Sequence, residues 1–122
     1  MTLFSLPETA QEVFDIVAVH MLKQKSRSVN CHPDSGDKCA YRGDDGRKCA
    51  AGCLIPDKVY DSKYEDILWQ DLVLDHDFPH NHAELIAKLQ QIHDCNHPLY
   101  WCSSLISLAK TYSLNTDILN TI

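Results

Sequence analysis

The segment from Ala10 to Met21 sets the first constraint on the fold. Ala10, Val13, Phe14, Val17, Ala18 and Met21 recur at helical spacing and make one apolar stripe. A helix with such a stripe cannot stand alone in water, so other elements must cover it. The chain has 122 residues, which is room for a single domain with one modest core. Ser5 is the expected cap of this helix and Pro7 suits its first turn, with Glu8 and Glu12 near the positive end. Lys23, Lys25 and Arg27 fall near the far end, where cations favour the helix dipole.

The second half supplies the cover. Asp61 or Ser62 can start a segment carrying Tyr64, Ile67, Leu68, Leu72 and Val73. Asn81 can cap a helix through Ala83, Leu85, Ile86, Leu89, Gln90 and Ile92 to His93-Asp94. Pro98 suits the start of a last helix whose expected buried face is Trp101, Leu105, Ile106, Leu108 and Ala109. Thr116 to Ile122 reads as a short helical end or a frayed tail.

The middle is different. Ser26 to Lys38 is rich in turn formers. Cys39 to Arg42 suits a short strand, and Asp45-Gly46 is a strong turn signal. Lys48 to Ile55 fits either the returning strand or a helical turn in which Gly52 allows close packing; a tiny hairpin running directly into a helical turn is the favoured reading. The fold class is therefore α+β, predominantly helical, with about four helices around one core and a small central β-hairpin.

Charge and cysteine content narrow the function. The net charge of −6 disfavours binding to a phosphate backbone, so nucleic acid is not the expected partner. An acidic surface instead suits docking on a basic partner. The first residues have neither a basic start nor a long apolar run, so no export signal is expected. The expected location is the cytoplasm, with the six cysteines reduced and no membrane partner.

The stretch Cys39, Tyr41, Arg42, Gly46, Lys48, Cys49, Ala50, Gly52, Cys53, Leu54, Ile55, Pro56, Asp57 reads C-x-Y-R, a Gly turn, then K-C-A-x-G-C-L-I-P-D. It resembles a family of small, uncharacterised proteins encoded by phages and prophages. Leu89, Gln90, His93, Asp94 and Trp101 extend the likeness over most of the chain. The resemblance implies a mobile-element origin and a role in host takeover or counter-defence. It implies no chemistry.

Candidate sites follow from residue types. Cys39, Cys49 and Cys53 are candidate zinc ligands, with Cys31-His32 before them and a second set in His93, Cys95, His97 and Cys102. Only Cys49 and Cys53 have the tight spacing of a zinc pair, and buried cysteines also serve as small core residues. His76, His80 and His82 could chelate a metal from a loop, though an exposed polar connection is the simpler reading. Cys49 could act as a nucleophile only with a base such as His20, His93 or His97, and no local signature places one beside it. Tyr41, Arg42 and Lys48 could hold a nucleotide-type ligand, or else Tyr41 packs in the core and Arg42 pairs with Asp44, Asp45 or a helix end. His93-Asp94 is a further candidate, against the expectation that the pair closes one helix and caps the next.

No catalytic constellation is recognisable, which favours a non-enzymatic role. The leading reading is an accessory protein of phage type that binds a host protein and modulates it. The alternatives are a sponge for a small nucleotide-type ligand and a zinc-stabilised interaction domain. A homodimer is also expected if Trp69, Trp101 and several tyrosines leave apolar surface uncovered.

Overall fold

A computed structural model describes residues 2–30 and 38–122. The candidates Cys31 and His32 lie outside the described residues. The main elements are helix α1 (Ala10–Gln24), strands β1 (Val29–Asn30) and β2 (Lys38–Cys39), and helices α2 (Trp69–Asp75), α3 (Ala83–Cys95) and α4 (Trp101–Thr111). Short 3-10 turns link them, including Gly52–Leu54, Ser62–Tyr64 and Pro98–Tyr100. The α+β, mainly helical architecture expected from the sequence is what forms.

Helix α1 starts later than Ser5 and Pro7 suggest. Thr9 is the cap: its hydroxyl oxygen accepts the Glu12 N–H at 3.1 Å and the hydroxyl donates to the Glu12 carboxylate at 2.8 Å. This T-x-x-E pairing satisfies one exposed amide and holds an acid at the positive helix end. The helix stops at Lys25, which takes a left-handed conformation and donates its N–H to Met21 O. Val13, Phe14, Val17, Ala18 and Met21 are all fully buried. They are covered by α3 and α4, which pack on α1 from one side, and by the turn at Gly52–Leu54. From α4 come Trp101, Leu105 and Ala109, whereas Ile106, expected in the buried face, is 37% exposed.

The hairpin is built differently from the expectation. Strand β2 pairs antiparallel with β1 on its upstream side, Val29 opposite Cys39 and Asn30 opposite Lys38. Downstream, the Asp45-Gly46 turn does form, with φ of 62° and 72°. Pairing across it is a lone bridge between Arg42 and Lys48, after which the chain curls into a helical turn. Gly52 explains the curl. A Cβ there would sit 2.2 Å from the Tyr41 carbonyl oxygen, so only glycine lets this turn lie against the strand.

The helix expected from Asp61 or Ser62 is also divided. Asp61 caps the Ser62–Tyr64 turn, Asp66 has a φ of 64°, and α2 begins only at Trp69. Below it Phe78 collects Phe4, Tyr64 and Trp69 edge-to-face at 4.9–5.4 Å, closing the lower core. Asn81 does not cap α3; His82 does, in a left-handed conformation and with its ring nitrogen on the Pro7 and Glu8 carbonyls. Both tryptophans are buried, so the surface expected to drive a homodimer is not theirs.

Gly52→Ala is expected to cost about 3 kcal/mol, the upper end for forcing a group into packed backbone. Gly46→Ala, where a Cβ meets nothing but φ is positive, should cost about 1 kcal/mol. Urea denaturation of the two variants checks the order, and a larger loss at Gly46 would contradict this account.

Candidate functional site

A concavity of about 680 Å³ runs along α3. One wall is the row Ala83, Ala87, Gln90, Asp94 with the row Glu84, Lys88, Gln91, Cys95 outside it. Both rows step by four, three and four residues, which keeps each on one helical face. The segment Glu65–Gln70 forms the facing wall, and Cys39, Ala40, Tyr41 and Cys49 complete the lining. Alanines at 83 and 87 leave the groove open, since no longer side chain fills it.

A buried polar relay holds this wall in place. His93 is fully buried and its ring stacks on Trp101 at 5.4 Å. Its Nε2 accepts the Ser28 backbone N–H at 3.0 Å, so that nitrogen carries no proton. The proton is on Nδ1, which donates to Asp94 Oδ1 at 2.7 Å. The same oxygen accepts from Gln90 Nε2 at 2.8 Å, and Gln90 Oε1 accepts the Ala51 N–H at 2.8 Å. The chain before β1, helix α3 and the turn at Ala51 are thus tied by one continuous network. The expectation that His93-Asp94 closes α3 and caps the next helix is corrected. Arg27 caps the end of α3, donating to the carbonyls of His93 and Asn96, and His97 caps the Pro98–Tyr100 turn through its Nδ1.

Glu65 does the same on the facing wall. Its carboxylate accepts the N–H groups of Tyr41 and Arg42, at 2.9 and 3.1 Å, and the Tyr60 hydroxyl. Tyr41 is buried and donates its hydroxyl to Ile67 O, so its polar end is engaged in the core while its ring lines the groove. Arg42 pairs with Asp57 at 2.6 Å, not with Asp44 or Asp45, and lies 4.9 Å from the Tyr60 ring centroid. Lys48 reaches the same Asp57 carboxylate at 3.5 Å, and these two cations hold Asp57 below the usual carboxylate range. Arg42 and Lys48 are therefore committed outside the groove, and the set Tyr41, Arg42, Lys48 does not converge on one pocket.

The cysteines separate as well. Cys49 is fully buried, and its sulfur accepts the Gly52 N–H at 3.2 Å. Burial pushes its thiol up strongly, and pushes Cys53 up to about 12. Among the described residues, Cys39 instead groups with His93 and Asp94, their donor atoms within 4.8 Å of one another. Burial first, then the charge of Asp94, pushes the Cys39 thiol up to about 11, the opposite of an activated nucleophile. As a metal centre the trio meets an obstacle. His93 could ligate through Nδ1 only by carrying its proton on Nε2, which faces the Ser28 N–H. The arrangement favours a hydrogen-bonded thiol, carboxylate and imidazole. His20 is held on Lys48 O at 2.7 Å, and His76 packs on Tyr64, so neither is poised as a base or ligand.

Glu65, Trp69, Ala87 and Gln90 were not among the sequence candidates. The helical stepping of Ala83, Ala87, Gln90 and Asp94 was the available signal for the α3 wall; nothing local marks Glu65. No protein-family model, curated protein or solved structure matches the chain. No helix among the described residues is long and apolar enough to cross a membrane.

Asp94→Asn removes a charge that raises the Cys39 thiol, so the pKa of Cys39 should fall and its alkylation at pH 8 should accelerate. In the native chain the exposed Cys95 and Cys102 should react well before Cys39, Cys53 and Cys49. Site-resolved iodoacetamide labelling read by mass spectrometry checks both, and an unchanged or slower Cys39 in the variant would contradict the assignment.

Proposed function

We propose that this chain is a small accessory protein of phage type that binds a host protein and modulates it, and that the groove along α3 is the contact surface. The observation that carries the reading is the groove itself: open, floored by alanines and aromatic edges, and held rigid on both walls by buried hydrogen bonds. A preformed concave surface of this size suits a segment of another protein. The resemblance supplies the phage setting. Burial holds the groove's Cys39 and Cys49 as thiols, which disfavours either as a nucleophile. The nucleotide sponge has less support, because Arg42 and Lys48 are spent on Asp57 and the groove is acidic. The zinc-stabilised domain has less support because the His93 lone pair is already used.

Ala87→Arg would plug the groove, while Ser107→Arg alters exposed surface on α4 away from it. Captured proteins from a bacterial lysate, quantified by mass spectrometry, should include at least one bound by the native chain and Ser107→Arg and lost with Ala87→Arg. Equal capture by all three, or none by the native chain, would sink the proposal.

A further inference from the structure

The groove's charge identifies what it takes. Among the described residues, four carboxylates line it, Glu65, Asp66, Glu84 and Asp94, against the lone lysine Lys88. Glu65 and Asp94 are fixed on the inner walls by the hydrogen bonds they accept. Asp66 and Glu84 are exposed on facing rims. Fixed acids behind and exposed acids in front, Glu84 beside the Tyr112 hydroxyl, give a negative trough with low-dielectric walls, which concentrates cations. Its floor is not polar: Ala40, Tyr41, Ile67, Trp69, Ala83 and Ala87 lie between the acids, and Leu68 stands 64% exposed at the rim. A bare inorganic cation uses none of that apolar surface.

A second observation bears on the rest of the ligand. Trp69 lines the groove, and its indole N–H is shielded from water with no acceptor among the described residues. A buried donor without a partner is costly, and a ligand carbonyl relieves it once a turn of the ring brings that N–H to the groove. Cation, apolar side chain and carbonyl acceptor occur together in a basic peptide. Length agrees: Ala83 to Cys95 rises roughly 18 Å along α3 at about 1.5 Å per residue. That is the span of an extended segment of about five or six residues at roughly 3.3 Å each.

Resting on the proposed role of the groove as a contact surface, we infer that its occupant is an extended basic segment of the partner protein, arginine or lysine alternating with apolar residues. The cations meet Asp66 and Glu84 at the rims, the apolar residues meet the alanine floor, and Lys88 weakens the complex.

The test uses the full chain labelled with nitrogen-15 and three probes: a capped hexapeptide alternating arginine and leucine, its glutamate–leucine counterpart, and spermine. The basic peptide should move the amides of Leu68, Ala87 and Gln91 together with the Trp69 indole resonance. It should bind at least about tenfold more tightly than the acidic peptide, and more weakly as salt rises. Lys88→Glu should strengthen binding and the pair Asp66→Asn, Glu84→Gln should weaken it about fivefold; all three positions are exposed, Asn tolerates the left-handed backbone at position 66 and Gln keeps the length of the side chain at 84, so the fold is spared. Equal binding of the acidic peptide at these residues would overturn the cation requirement and leave the groove as contact surface. Spermine matching the basic peptide there would overturn the peptide assignment. Perturbations scattered over the acidic surface would overturn the inference outright. If no probe reaches the groove, the inference fails; loss of lysate capture with Ala87→Arg would then keep the contact-surface reading, and unchanged capture would end that reading too.

Discussion

The hydrogen bond from the Ser28 backbone to His93 Nε2 is the constraint on which the upper half of the molecule depends. It fixes the imidazole as the tautomer protonated on Nδ1, and that proton then fixes Asp94. Asp94 in turn holds Gln90, whose other end receives the Ala51 amide. Three segments distant in sequence meet in this chain of donors and acceptors. Its links run from the fully buried His93 to the half-buried Asp94 and Gln90, and removing one strands the next, which makes such networks rigid and specific. The groove inherits that rigidity, since Gln90 and Asp94 are part of its wall.

The same economy explains why several residues with suggestive chemistry carry none. Arg42 and Lys48 neutralise Asp57; Tyr41 is anchored by Ile67; Cys49 completes the turn that Gly52 allows against the strand. The C-x-Y-R…K-C-A-x-G-C-L-I-P-D stretch is thus a structural knot. It sets the position of Cys39, Ala40 and Tyr41 beside α3, and the groove arises where the knot meets the helix.

What could be read from the sequence was what depends on near neighbours. The stripe from Val13 to Met21 is buried throughout because helical spacing alone aligns it, and the Asp45-Gly46 turn forms because its positive φ is a local demand. Errors arose where a distant partner decides. The helix expected near Ser62 is interrupted because the Glu65 side chain is drawn to the amides of Tyr41 and Arg42, more than twenty residues away. The hairpin pairs upstream because Val29 competes for β2, which no spacing rule reveals. His93 does lie in the last turn of α3, as its sequence suggests, but its burial was not legible because the Ser28 amide that bonds it lies 65 positions earlier. The cap at Thr9 is an exception: T-x-x-E was legible, and Pro7 drew the helix start too far upstream.

The central claim is that a neutral His93, protonated on Nδ1, holds the groove wall together. A long-range proton–nitrogen correlation of the imidazole rings at pH 7 tests it most directly. The account predicts that His93 shows Nδ1 at a protonated shift and Nε2 at an unprotonated one, unchanged by added zinc. Protonation on Nε2, or a shift of Nδ1 on zinc addition, would contradict it and would make the Cys39, His93, Asp94 trio a metal centre.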